Sequence, residues 1–131
     1  MLQIDPLRKP PNAELELSGS KSITNRALII AALAEGRSTL SRALFAEDTL
    51  AMISCLQAFG IDIKHDHTTA TITINGSRGE LDTPQKELWV RQSGTTARFI
   101  LPLSVLAKAP IQVDGDDQIR SRPQNDLLLA L

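Results

Sequence analysis

The chain has 131 residues, of which 42% are hydrophobic and 22% charged, and its formal net charge is −1. This length and composition fit one globular domain with a packed core, and the lack of a basic excess argues against a general nucleic-acid or membrane binder. The longest apolar run, residues 27–34, is far shorter than the roughly 18 residues that a membrane-spanning helix needs. One cysteine, Cys55, offers no internal disulfide, which fits a reducing compartment such as the cytoplasm. No basic segment followed by an apolar one marks a secretory signal at the N-terminus.

The N-terminal part of the sequence predicts a strand and then a helix. Residues 1–18 hold three prolines and end in the alternating run 13–17, Ala-Glu-Leu-Glu-Leu, which is typical of a strand. We interpret 1–18 as a lead-in strand segment that pairs elsewhere. A helix is predicted from Ser22 to Ala34, followed by Gly36 as its end. Because its apolar run covers every face, this helix is expected to be buried all round.

Strands and helices alternate in the next fifty residues. Residues 38–44 are predicted to form a strand. The acidic pair 47–48 opens a second helix, where carboxylates favour the positive end of the helix dipole. Residues 61–64 and 70–74 alternate apolar and polar side chains, which predicts a hairpin with a polar turn near 66–68.

Two histidines at this turn raise the question of a metal site. His65 and His67 are two residues apart and so share a strand face. Metal sites in proteins usually need three or four ligands, and no cysteine or third histidine lies nearby in the sequence. We therefore predict no metal site.

A polar, cationic stretch opens the first helix. Residues 19–26 read Gly-Ser-Lys-Ser-Ile-Thr-Asn-Arg. The first N–H groups of a helix have no partner within it, and they add to the positive end of its dipole. Lys21 and Arg26 contribute full charges, so the stretch predicts a site for an anion such as phosphate or carboxylate. The alternative is that a serine or threonine here only caps the helix, and the single glycine excludes a Walker loop.

A similar stretch occurs again further along the chain. Residues 91–98 read Arg-Gln-Ser-Gly-Thr-Thr-Ala-Arg and lead into a second long apolar run. Thr96 and Arg98 correspond to Thr24 and Arg26. The second helix start is therefore predicted to bind an anion in the same way as the first.

The order of elements in the second half matches that in the first. A weak strand over 80–90, with Trp89 in the core, precedes the second apolar helix, which Pro102 should kink or break. A strand over 109–113 and a helix beginning at Pro123 follow. The sequence therefore predicts an internal repeat of a β-α-β-α-β-β unit.

The repeat divides the chain into two units, residues 19–79 and residues 80–131. The second unit stops inside its second helix, which indicates a truncated chain. If the units pack about a common axis, their helix starts converge on one anionic ligand. Arg120 and Arg122, at the start of the fourth helix, are placed to join them.

Three stretches resemble, in order, signature motifs of the 5-enolpyruvylshikimate-3-phosphate synthases: residues 19–28, 93–98 and 120–123. The resemblance covers nearly the whole chain. It implies an α/β (α+β) protein with the inverse α/β barrel of the enolpyruvyl transferases, in which repeated units place parallel buried helices inside outer sheets. It also implies transfer of the enolpyruvyl group from phosphoenolpyruvate to the 5-hydroxyl of shikimate 3-phosphate, with release of phosphate, in aromatic amino acid biosynthesis.

Family enzymes are longer than this chain and have two domains. The resemblance therefore implies that this chain supplies one wall of the substrate cleft. Segment 1–18 would pair with the missing C-terminal domain, which carries the general acid and base. The chain alone is expected to be inactive.

The resemblance further implies roles for nine residues. Lys21 is the expected catalytic residue, and it contacts both substrates. The residues expected to bind shikimate 3-phosphate are Lys21, Ser22 and Arg26. Those expected to bind phosphoenolpyruvate are Lys21, Gly94 and Arg122. Supporting residues are Asp48, Gln92, Thr95 and Arg98, with Gln92 standing where many members have asparagine.

Two other functions stay open. A sister family transfers enolpyruvyl to UDP-N-acetylglucosamine on the same fold, but its opening motif resembles Ala-Lys-Asn and it uses a loop cysteine, whereas Cys55 lies in a predicted helix. The chain could also be a non-catalytic phosphate-binding module, and an in-frame continuation beyond Leu131 would favour the enzyme. We expect small anionic substrates as ligands, and no cofactor, metal, nucleic acid or membrane. A monomer in the cytoplasm is expected.

Overall fold

The structure is a computed structural model that describes residue 6 and residues 8–131. The strands are β1 (Glu35–Leu40), β2 (Asp62–Asp66), β3 (Thr71–Ser77), β4 (Leu88–Trp89) and β5 (Val113–Asp114). The helices are α1 (Lys21–Leu33), α2 (Glu47–Ala58), α3 (Gly94–Ser104), α4 (Asp117–Arg120) and α5 (Asn125–Ala130). No helix in this described part of the chain is long and apolar enough to cross a membrane.

The first half forms a helix layer on an antiparallel sheet. The sheet has the strand order β1-β3-β2, and the predicted hairpin is its β2–β3 pair, in which Ile63 lies opposite Ile74. Gly76 in β3 allows α1 to lie directly on the sheet, because a β-carbon there would collide with the carbonyl oxygens of Ala31 and Ala34. The side chains that fill the space between sheet and helices are fully buried: Leu28, Met52, Leu56, Phe59, Ile72 and Ile74.

The second half contains a strand–helix–strand arrangement. β4 and β5 pair in parallel, with Leu88 opposite Val113, and α3 connects them. Parallel neighbours need such a crossover connection. α3 packs against α2 through buried Ala97 and Ile100. This order agrees with the predicted second unit, while the division of the chain at residues 79 and 80 stays a prediction.

The lead-in segment is predicted to be a strand that pairs elsewhere, and the structure describes only part of it. Residues 13–17 form no strand, and Leu15 and Leu17 are 79% and 84% exposed. A strand needs a partner backbone, and none of the described residues supplies one. Residues 1–5 and 7 of the lead-in lie outside the described residues, and pairing with a second domain stays a prediction.

Helix α1 is not buried on every face. Ile23 and Ile30 are 70% and 69% exposed, although the opposite face contacts β3, α2 and α3. The hydrophobic run shows that every face tolerates burial, but only the neighbouring elements decide which face is covered.

Trp89 is the clearest error about the core. Its neighbours Leu88 and Val90 are buried, whereas Trp89 itself is 44% exposed. Successive side chains of a strand point to opposite sides, so the two smaller apolar residues take the inner side.

Several boundaries also differ from the prediction. Strand β1 begins earlier than residue 38, and Gly36 lies within it at φ +84° instead of ending the helix. The predicted strand 109–113 is reduced to Val113–Asp114. Pro102 lies inside α3, which ends two residues later, and Pro123 lies between α4 and α5 instead of opening one long helix.

Candidate functional site

The start of α1 is held in place by short polar side chains. Ser20 is the N-cap, and its Oγ accepts the N–H of Ile23 at 3.4 Å. Thr24 Oγ1 donates to the Ser20 carbonyl at 2.9 Å and accepts the Leu44 N–H at 3.1 Å. Ser20 therefore caps α1, as the simpler interpretation of this stretch predicts. The bond from Leu44 to Thr24 also connects the start of α1 with the segment before α2.

The start of α3 is built in the same way. Ser93 is the N-cap, and its Oγ accepts the Thr96 N–H at 3.1 Å. Thr96 Oγ1 lies 2.7 Å from Ser93 Oγ and donates to the carbonyl of Asp48 at 3.0 Å. Because Ser93 and Thr96 are buried, this network fixes the start of α3 against the start of α2.

An ion pair connects α1 with α2 at the same place. Lys21 Nζ lies 3.1 Å from Asp48 Oδ2, with the two side chains 47% and 25% exposed. The ammonium group is therefore held beside the helix starts while it stays accessible to a ligand. The supporting role that the resemblance implies for Asp48 stays a prediction.

Arg122 covers the first residue of α3. A β-carbon built on Gly94 would lie 2.5 Å from Arg122 Nη1, so only glycine leaves room for the guanidinium at this distance. The arginine is placed against the N-terminus of the helix, where unpaired N–H groups also attract anions.

These groups border one cavity of about 540 Å³. Among the residues that line it are seven of the nine predicted site residues: Lys21, Asp48, Gln92, Gly94, Thr95, Arg98 and Arg122. Three cations face a single carboxylate there, which favours an anionic ligand. Gln118 and Gln124 also line the cavity and were not predicted. Only their closeness to the 120–123 motif could have indicated them.

The two remaining predicted residues, Ser22 and Arg26, do not line this cavity. Both are exposed on α1, where Arg26 Nη1 donates to the Ser22 carbonyl at 3.0 Å. The Arg26 guanidinium also lies 5.8 Å from the centre of the Phe99 ring. The cations that line the cavity are therefore Lys21, Arg98 and Arg122, and Arg26 is not among them.

Arg120 is engaged away from the cavity, contrary to the expectation that it joins the other cations. Its Nε and Nη2 donate to the two carboxylate oxygens of Asp114 at 2.9 Å and 2.6 Å. This bidentate bond, together with the N–H of Gly115, lowers the pKa of Asp114 to about 2. The pair links β5 with α4 and so helps to place Arg122, two residues later.

The two histidines belong to an aromatic cluster. His67 stacks on Phe45 with ring centres 4.1 Å apart, and His65 lies edge-on to His67 at 5.1 Å. Within the described ranges, no three His, Cys, Asp or Glu side chains are grouped so that they could hold a metal ion.

Cys55 lies inside the protein on α2. Burial raises the pKa of its thiol to about 11, because the charged thiolate is disfavoured away from water. The thiol therefore lacks the exposed, electropositive surroundings of a reactive cysteine.

Comparison with known proteins gives a consistent result. The family model described as EPSP synthase (3-phosphoshikimate 1-carboxyvinyltransferase) matches residues 7–131. A 3-phosphoshikimate 1-carboxyvinyltransferase from Nostoc punctiforme is 44% identical over 130 residues, which cover 99% of this chain and 30% of the relative. Another from Methanothermobacter thermautotrophicus is 44% identical over 112 residues, 86% of this chain and 26% of the relative.

A solved structure shows the same arrangement. An EPSP synthase from Acinetobacter baumannii superposes with a TM-score of 0.83 at 26% sequence identity, covering 89% of this chain and 27% of that one. The superposition confirms the predicted fold class. The chain spans about 30% of the length of the curated relatives that it matches.

Proposed function

Because the chain belongs to the EPSP synthase family, we propose that it forms one wall of the cleft in which enolpyruvyl passes from phosphoenolpyruvate to shikimate 3-phosphate. The acceptor is the 5-hydroxyl group, and phosphate is released. The single observation that carries this proposal is the cavity where Lys21, Arg98 and Arg122 meet the start of α3. Both substrates are anions, and this cavity presents three cations beside one carboxylate.

In this proposal Arg122 and the start of α3 bind phosphoenolpyruvate. A guanidinium makes two parallel, charge-assisted hydrogen bonds to a carboxylate or phosphate, and it stays charged throughout the working pH range. Gly94 lets the arginine and the ligand approach the backbone N–H groups closely. Together these donors fix the orientation of the anion.

In this proposal Lys21 contacts both substrates. Its ammonium is a compact charge with three donors, so it can contact one ligand while Asp48 holds it from the side. On the open face of α1, Ser22 and Arg26 are the proposed contacts for shikimate 3-phosphate. Arg26 would exchange its bond to the Ser22 carbonyl for the stronger bond to a phosphate.

In this proposal the chain binds and orients the two substrates, and the chemical steps depend on another part of the enzyme. Enolpyruvyl transfer requires a proton for the methylene carbon, a base for the attacking hydroxyl and exclusion of water. We assign none of these three steps to residues of this chain. They belong to the remaining part of the enzyme, which would close over the cavity. Lys21, the expected catalytic residue, contributes in this proposal by contacting both substrates. A monomer that works in the cytoplasm stays a prediction.

The sister reaction on a UDP-sugar is the weaker proposal. Cys55 is buried on α2 and its pKa is raised to about 11, so it does not act as the exposed loop thiol of that family. A non-catalytic phosphate-binding module would use the same cavity, and activity after addition of the remaining domain separates the two.

The binding test uses inorganic phosphate, the 131-residue chain and calorimetry. Arg122→Gln should weaken binding about tenfold to a hundredfold, the effect of one lost charge-assisted contact. Arg37→Gln is the matched control, because Arg37 is an exposed arginine on β1 that does not line the cavity. Equal losses in both variants, or no binding by the unsubstituted chain, would contradict the proposed site.

A further inference from the structure

One polar side chain of α1 lies in the interior without a partner. Asn25 is fully buried, and neither its Oδ1 nor its Nδ2 has a hydrogen-bond partner among the described residues. Buried polar side-chain atoms in proteins are nearly always paired, either with protein or with an ordered water molecule. A leucine of similar size, such as Leu28 on the same face, would fill the space without this cost. The amide therefore calls for a bound partner.

The position of Asn25 connects it with the anion cavity. It follows Lys21 by four residues and so lies one helical turn deeper on the same face of α1. Lys21 is paired with Asp48, and the carbonyl of Asp48 accepts the hydroxyl of Thr96. The starts of α1, α2 and α3 thus meet one turn above the buried amide.

An ordered water molecule is the usual partner of a buried polar group that the protein leaves unpaired. Buried waters typically make about three hydrogen bonds to polar groups that are otherwise unpaired, and they act as part of the structure. The amide offers one group that donates and one that accepts, and a single water can serve both functions. Helix backbones at this depth are already bonded internally, so they do not compete for the amide.

We propose that Asn25 is a positioning residue whose carboxamide holds an internal water molecule and so sets α1 against α2 and α3 beneath the anion cavity. Asn25 touches no substrate in this view. It acts through Lys21 and the start of α3, whose spacing decides whether one anion can reach both. The effect on ligand binding rests on the proposed function, whereas the water and the helix spacing do not.

The central variant is Asn25→Leu, which keeps the size of the side chain and removes both polar atoms. Its melting temperature should equal or exceed that of the unsubstituted chain, because an apolar group replaces a buried polar one. Its affinity for inorganic phosphate should nevertheless fall about tenfold, as expected when one charge-assisted contact is misplaced. If Asn25 had only a structural role, the melting temperature and the phosphate affinity would change together.

Leu28→Ala is the matched control on the same helix face. It removes buried apolar volume one turn away, so its melting temperature should fall while phosphate affinity stays within about twofold. The backbone amide resonances of Gly94 and Thr95 give a readout without ligand. They should shift in Asn25→Leu and keep their positions in Leu28→Ala.

Water is detected directly on the unsubstituted chain. Nuclear Overhauser effects between the Asn25 side-chain amide protons and a long-lived water are expected, and they remain informative if the leucine variant fails to fold. Absence of that water overturns the inference, as does an Asn25→Leu variant with unchanged resonances and unchanged phosphate affinity. If the unsubstituted chain binds no phosphate, the proposed function fails. The Overhauser effects to water and the Gly94 and Thr95 resonances still test the proposed role of Asn25, because neither measurement needs a ligand.

Discussion

Arg122 and Gly94 are in direct apposition: a β-carbon on Gly94 would stand 2.5 Å from the arginine Nη1. The two residues come from different motifs, separated in the chain by the rest of α3, by β5 and by α4. Their contact places a guanidinium over the unpaired N–H groups of a helix start. This contact between residues of two motifs leads to a specific prediction.

Substitution of Gly94 by alanine should displace Arg122 while leaving the fold intact. Alanine is a better helix former than glycine, and the arginine is a flexible side chain that can move aside. Phosphate affinity should therefore fall about tenfold, with an unchanged circular dichroism spectrum. Ser54→Ala on the exposed side of α2 serves as control. Unchanged affinity in Gly94→Ala would show that Arg122 does not act from this position.

The Asp114 carboxyl should titrate near pH 2, mainly because Arg120 donates two hydrogen bonds to its charged form. The pKa is depressed relative to the unfolded value of about 3.9. Its contribution to stability is therefore complete above pH 4 and is lost as the pH falls from about 4 through 2. Arg120→Gln should return the carboxyl pKa towards its ordinary value, measured by NMR titration of the side-chain carbon. A titration curve that does not change in this variant would contradict the assigned cause.

Cys55 should be unreactive in the folded chain. Burial raises its pKa to about 11, whereas an unfolded chain ionises its thiol near 8.5. At pH 8 a disulfide reagent should label it slowly in buffer and rapidly in denaturant.

The same difference in pKa determines how the free energy of unfolding changes with pH. Between about pH 8.5 and 11 only the unfolded state loses the proton, so stability should decline with rising pH. Equal labelling rates with and without denaturant would show that the thiol is accessible.

The 131-residue chain alone should release no phosphate from phosphoenolpyruvate and shikimate 3-phosphate. The chain spans about 30% of the length of its relatives, and in the proposed function the general acid, the general base and the exclusion of water depend on the remaining part of the enzyme. A phosphate-release assay compares the chain with a complete family enzyme at equal concentration. Comparable turnover by the chain alone would mean that the proton-transferring groups lie within it.

Local sequence determined the elements and the chemistry of the helix starts. Ser20 before an apolar run predicts a capped helix, and Lys21 beside it predicts a cation at that start. The position of Arg122 at a predicted helix start also marked it as a cation for this site, and the resemblance added the expected role of Gly94. Each of these inferences depends on neighbours within a few positions, which a sequence displays directly.

Tertiary structure decided which of those charges act together. Arg26, Arg98, Arg120 and Arg122 look alike in the sequence, yet Arg120 is bound to Asp114 and Arg26 lies over Phe99. Only Arg98 and Arg122 reach the cavity with Lys21. The tertiary structure also decided that Trp89 is exposed and which face of α1 is buried. Burial depends on which elements pack against a residue, and these elements are distant in the sequence. The sequence determines the charge and hydrophobicity of each residue. Only the tertiary structure decides which other groups that residue contacts, because those groups come from distant parts of the chain.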